Sequence, residues 1–177
     1  MKSKLLAVSA ISAAITAIIL TIGAYVSSAD LFCLTISSVT VMLPLYFKSY
    51  KAGFLSFLAG GIIAFLFSGF NIAVVVVPAF LLFFGSFPLV KMFALEKGVN
   101  KWVVYFIGLV WCLLAVFGIY YFYANVMGMD FSYLPPIVNK YILLFVGLAG
   151  VIFYLVFERY VVSVKRIMDV YLGKFIK

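Results

Sequence analysis

Six long runs of apolar residues, separated by short polar connections, decide what this chain can fold into. A helix that crosses a bilayer needs about 20 mostly apolar residues, because the hydrocarbon core is about 30 Å thick. Five of the runs have 19 to 23 residues and the second has 17. The predicted spans are Leu5–Val26, Leu31–Phe47, Ala52–Phe70, Ile72–Val90, Trp102–Ala124 and Val138–Phe157.

The composition supports the same fold class. Hydrophobic residues make up 68% of the chain and charged residues 10%, against about 45–50% and about 25% in soluble domains. A water-soluble surface cannot be built from so few polar side chains. We therefore expect an all-α integral membrane protein of the cell membrane, with residues 1–177 forming one six-helix transmembrane domain.

The basic residues set the expected orientation. Of the 13 lysines and arginines, Lys140 falls on one side of the six spans and the other 12 fall on the opposite side. Loops rich in lysine and arginine stay in the cytoplasm. Both termini are therefore predicted to be cytoplasmic, and the charge is assigned to orientation rather than to nucleic-acid binding.

The start of the chain also resembles a signal peptide. Lys2 and Lys4 form a basic segment, and Ser27-Ser28-Ala29 resembles a cleavage site. However, the apolar run of 22 residues exceeds the usual 7–15 residues of a signal peptide. This comparison favours an uncleaved first span.

The tail, residues 158–177, is predicted to be cytoplasmic. Val164, Ile167, Met168, Tyr171 and Phe175 keep helical spacing among basic residues, which predicts an amphipathic helix. Such a helix lies on the membrane interface or docks onto a cytoplasmic partner.

The residues that are missing exclude several kinds of chemistry. The chain has no histidine, which excludes Ser-His hydrolases and histidine-based zinc sites. Cys33 and Cys112 lack metal or redox spacing, and no Walker A stretch occurs. No predicted span carries an ionisable Asp, Glu, Lys or Arg in its interior, although membrane transporters that use protons usually need one. We therefore expect no enzyme, no metal and no cofactor.

Small residues recur along the first span. Close approach of small residues drives helix association in membranes. The stripe packs within the bundle or docks another membrane subunit. It contains Ala7, Ala10, Ala14, Ala17, Thr21 and Ala24, with Ala13 beside it.

The outer side of the predicted bundle collects polar and aromatic residues. Aromatic rings and amides in three outer segments fit a pocket for a small molecule, whereas tyrosines at a membrane surface also form an ordinary aromatic belt. The candidate ligand-binding residues are Asp30, Asn71, Tyr120, Tyr123, Asn125, Asp130, Tyr133 and Asn139.

In size, span number and first-span motif, the chain resembles the substrate-binding S-component of energy-coupling factor (ECF) vitamin transporters. That family carries an Ala-xxx-Ala motif in its first span, which Ala10-Ala14 and Ala13-Ala17 match here. The segment Phe83–Lys91 also resembles segments of small S-component-like proteins.

The resemblance implies a function and a set of partners. Such a subunit captures a vitamin or another small molecule on the outer side, and the whole subunit topples in the bilayer to release it. Its first span docks onto a membrane coupling protein, and two cytoplasmic ATPases supply the energy. None of the vitamin-specific patterns occurs, so the substrate stays open. The alternative is a non-catalytic scaffold protein of the MreD type, which has a similar size and span count.

Overall fold

The computed structural model describes residues 2–47, 49–69, 75–128 and 135–172. Within these ranges the chain is helical and contains no β-strand. The helices are α1 (Lys2–Tyr25), α2 (Asp30–Tyr46), α3 (Tyr50–Phe67), α4 (Val76–Glu96), α5 (Lys101–Val126), α6 (Pro136–Lys140) and α7 (Ile142–Leu172).

Five of these helices (α1, α3, α4, α5 and α7) are long and apolar enough to cross a membrane, and α2 is a shorter apolar helix. The prediction of an all-helical membrane bundle is therefore confirmed at this level. Apart from the short α6, successive helices run in opposite directions, as the hydrogen bonds between them show. We call the end that contains Lys51, Lys97 and Lys101 the basic end, and the end that contains Asp30 and Asn125 the opposite end.

Helices α1, α2 and α3 pack closely through small and hydroxylated residues. The Ser12 hydroxyl donates to the carbonyl of Thr40 at 2.5 Å, and the Thr16 and Thr40 hydroxyls lie 2.6 Å apart. A Cβ atom added at Gly60 would lie 2.8 Å from the Thr16 methyl carbon. Backbones approach this closely only where side chains are small, so these residues fix the contacts of α1 with α2 and with α3.

The small-residue stripe of the first span is only partly buried. Ala13 and Ala17 pack inside the bundle, whereas Ala7, Ala10 and Ala14 are exposed. The buried face instead follows the hydroxyl groups that bond to α2, since a serine or threonine hydroxyl needs a partner away from water. Of the two predicted roles of the stripe, packing within the bundle therefore holds for Ala13 and Ala17 only, and docking of another subunit by the exposed alanines stays a prediction.

An aromatic core joins α4 to α7. Phe83 packs against Phe157 with ring centroids 5.4 Å apart, and Phe84 packs against Phe153, also at 5.4 Å. Phe84 meets Phe157 edge to face at 5.1 Å. Aromatic pairs at these distances stabilise a helix contact beyond their buried area.

Two helices, α4 and α7, continue well beyond the ends of the predicted spans. Helix α4 continues to Glu96, six residues beyond the predicted end at Val90. Helix α7 runs without a break through 31 residues, about 46 Å, so the described part of the tail is no separate interfacial helix. The reason is packing: Val161 is fully buried, and Val164 and Met168 pack against the core. Residues 173–177 lie outside the described ranges.

Candidate binding sites at the two ends of the bundle

At the opposite end, the structure brings two of the predicted ligand-binding residues together. Asp30 is half-buried in the first turn of α2, and one of its carboxylate oxygens is buried without a hydrogen-bond partner among the described residues. The Tyr123 phenol on α5 lies within electrostatic range of this carboxylate and beside the backbone of Val75. A half-buried carboxylate next to a phenol can accept a hydrogen bond from a ligand.

The remaining predicted residues of this end are more scattered. The exposed Asn125 side chain donates to the Tyr121 carbonyl of its own helix at 3.1 Å. Tyr120 is half-buried on α5, and Asn139 is exposed on α6. Asn71, Asp130 and Tyr133 lie outside the described residues. The described part of the chain thus gathers Asp30 and Tyr123 but leaves Asn125 and Asn139 on the rim.

An ion pair lies inside the other half of the bundle. The Lys91 ammonium of α4 donates to a carboxylate oxygen of Glu158 on α7 at 2.6 Å. The two side chains are 6% and 18% exposed. Charged groups within membrane helices are rare, because burying them is costly, and they mark functional positions by default.

A π-helical turn in α4 precedes this lysine. The Gly85 amide donates to the Phe80 carbonyl five residues earlier, at 2.8 Å. The carbonyl of Leu82 accepts a hydrogen bond from the indole of Trp111 on α5, at 2.8 Å. A π-turn inserts one extra residue and resets the helical register, and such turns are frequent near functional sites. The turn therefore sets which face of α4 carries Lys91.

The ion pair lines a cavity of about 490 Å³ between α4, α5 and α7, which we call the α4–α5–α7 cavity. Its charged lining residues are Lys91, Lys101, Glu158 and Lys165. Its aromatic and aliphatic lining includes Phe87, Trp102, Val104, Tyr105, Tyr154 and Val162. Ammonium groups beside apolar walls suit an anionic ligand with an apolar part.

Glycine and tyrosine shape one wall of this cavity. The Tyr154 hydroxyl donates to the Tyr105 carbonyl at 2.8 Å. A Cβ atom at Gly108 would lie 2.6 Å from the same hydroxyl. The absence of a side chain at this position lets α5 approach α7 closely enough for the hydrogen bond.

Comparison with protein-family models, with curated proteins and with solved structures gives no match. The evidence for function therefore comes from the residues of the sites themselves.

A second cavity, of about 480 Å³, lies between α2, α4 and α7, and we call it the α2–α4–α7 cavity. The Tyr50 hydroxyl contacts the carboxylate of Glu96 and lies 3.5 Å from the Met92 carbonyl. Asp169 and Lys165 complete its charged lining. Lys165 thus lies between the two cavities and faces acidic groups on one side.

The ion pair and both cavities were missed by sequence reasoning. Lys91 and Glu158 each follow directly after a predicted span, so both were assigned to cytoplasmic segments. One signal was present: the apolar pattern continues past both residues, through Met92 and Leu95 in α4 and through Val161 in α7. A charged residue inside a continuing apolar pattern indicates a helix that carries its charge inward.

Proposed function

We propose that the chain crosses the membrane six times, with both termini and the basic end in the cytoplasm. Helix α2 has 17 residues, about 26 Å, which nearly spans the hydrocarbon core. With α2 as a span, the alternating helices place the basic connections on one side, in agreement with the positive-inside rule. Reporter fusions after Lys51, Lys97 and Lys177 then all report cytoplasm, and an external signal from any of them contradicts the topology.

We further propose that the chain is the small-molecule-binding membrane subunit of an ECF-type transporter, with a vitamin or another small molecule as substrate. The observation that supports it best is the Asp30 carboxylate oxygen, buried beside Tyr123 and unpartnered among the described residues. At the outer end of the bundle, such an acceptor is satisfied by a ligand N–H or O–H group. The aromatic ring beside it can stack on a flat ligand.

The exposed face of α1 supports the docking part of this proposal. Ala10 and Ala14 face away from the bundle, while Ala13 and Ala17 pack inside it. An exposed alanine pair permits close approach of a second membrane protein. The coupling protein contacts Ala10 and Ala14 in this scheme, and two cytoplasmic ATPases complete the complex.

The second candidate function is the scaffold protein of MreD type. It is favoured by the position of the two cavities, which both lie at the basic end. It is also favoured by the rim positions of Asn125 and Asn139, which are exposed separately. A scaffold needs no outer pocket, and its exposed helix faces bind other membrane proteins.

Co-purification from native membranes separates the two functions. We expect the coupling protein and both ATPases to be recovered with the chain. The A10L/A14L variant should recover much less of them, whereas A149L, on an exposed position of α7, should recover as much as the parent. Recovery of cell-shape proteins without ATPases would contradict the transporter function and support the scaffold function.

A further inference from the structure

The α4–α5–α7 cavity gathers more positive than negative charge. Three lysines and one glutamate line it. The Lys91–Glu158 pair is neutral overall. The cavity therefore has a net charge of about +2, from the ammonium groups of Lys101 and Lys165. Lys165 also lines the neighbouring α2–α4–α7 cavity, together with Glu96 and Asp169. Lys101 lines only the α4–α5–α7 cavity, whose one acidic lining residue, Glu158, is paired with Lys91.

We propose that this cavity binds the headgroup of an anionic membrane phospholipid, with its phosphate held by Lys101 and Lys165. Basic pockets between membrane helices are suited to anionic lipid headgroups. Two ammonium groups provide the point charges that a phosphate needs. The neutral Lys91–Glu158 pair forms the inner wall of the cavity and prevents deeper entry of the anion.

The walls of the cavity favour a lipid over a soluble phosphate. Trp102 is 79% exposed and Val162 is 39% exposed, so the cavity is bordered by apolar surface that in a membrane contacts lipid. Tryptophan is enriched where the bilayer meets water. A volume of about 490 Å³ holds a headgroup and its glycerol, while the acyl chains extend along the exposed apolar residues of α5 and α7.

The test compares lipid retention by matched variants. The full chain is reconstituted with equal amounts of phosphatidylglycerol and phosphatidylcholine, extracted in mild detergent, and its bound lipids are counted by native mass spectrometry. We expect phosphatidylglycerol to be retained selectively by the parent protein. The K101Q/K165Q variant should retain it about 25-fold less strongly, at about fivefold per lysine near a membrane surface.

The control variant, K51Q/K97Q, removes the same charge from exposed positions that line neither cavity. It should keep the parent's retention. A third variant, V162W, fills the cavity without changing charge and should also lose the bound lipid. Thermal unfolding of every variant in detergent verifies that loss of lipid is not loss of fold.

Three results would overturn the proposal. Equal loss of lipid by K51Q/K97Q would mean that overall charge, and not this cavity, retains lipid. Equal retention of phosphatidylcholine by the parent would mean that the cavity does not recognise an anionic headgroup. Displacement of phosphatidylglycerol by millimolar inorganic phosphate would identify a soluble phosphate as the occupant.

Discussion

Replacing Glu158 with glutamine should destabilise the protein strongly, because it leaves the Lys91 ammonium without its charged partner. The two groups lie 2.6 Å apart, and the Lys91 side chain is 6% exposed. Removing one partner of a buried pair costs about 3–5 kcal/mol. Glu158 is 18% exposed and lines a cavity, so water can partly solvate the remaining charge, and we expect about 3 kcal/mol. At about 2–4 °C per kcal/mol for a chain of this size, the melting temperature should fall by about 6–12 °C.

Thermal unfolding in detergent micelles, followed by tryptophan fluorescence, measures this change. The matched control is K97Q, which alters an exposed lysine directly after α4 and should cost at most about 1 kcal/mol, the worth of its exposed contact with the Phe93 ring. The double variant K91M/E158L removes both charges and should recover most of the lost stability, because an apolar pair can replace a buried ion pair at little cost.

Two results would contradict a stabilising role of the ion pair, one from the single variant and one from the double variant. If Glu158→Gln lowers the melting temperature by less than about 2 °C, the carboxylate does not compensate a buried charge. If the effects of Lys91→Met and Glu158→Leu, each measured singly, simply add in K91M/E158L, the two residues are not energetically coupled. Either outcome would remove the ion pair as a structural element of the bundle.

Two further substitutions test the packing of the helices. Gly108→Ala should cost about 1–3 kcal/mol, because the new Cβ atom would lie 2.6 Å from the Tyr154 hydroxyl. Gly118→Ala, where nothing lies within 4 Å, is its control in the same unfolding assay, and an equal loss in both would contradict the close approach. Ala17→Leu should lower the melting temperature, because Ala17 is 4% exposed, whereas Ala14→Leu at an exposed position should not. Equal effects of these two would mean that the wrong face of α1 has been assigned to the core.

Much of the fold follows from local features of the sequence. The apolar run Trp102–Ala124 became α5 with ends shifted by one or two residues, because an uninterrupted apolar run in a membrane has helix as its main option. The run that ends at Val90 was less informative, since α4 continues through Lys91 to Glu96. A lysine interrupts the apolar pattern of the sequence, and the predicted span was therefore ended there. The helix itself continues, because a carboxylate on another helix forms an ion pair with the lysine.

The residues that meet in the candidate sites were harder to predict from the sequence. Asp30 and Tyr123 are 93 positions apart in the chain, and only their assignment to one side suggested that they meet. Lys91 and Glu158 are 67 positions apart, and no spacing rule relates them. Proximity of this kind depends on the rotation of each helix about its axis, which neighbouring helices set by packing.

The amino-acid sequence by itself determined that this protein is a bundle of apolar helices, because the bilayer leaves a chain of this composition little other choice. It also determined that the positive charge collects at one end of the bundle. Only the tertiary structure decided which face of α1 is buried and that Ala10 and Ala14 are exposed. It also decided that Lys91 meets Glu158 inside the bundle. The reason is that hydrophobicity drives every span into the membrane alike, whereas hydrogen bonds, small-residue contacts and ion pairs between helices select how the spans rotate against one another.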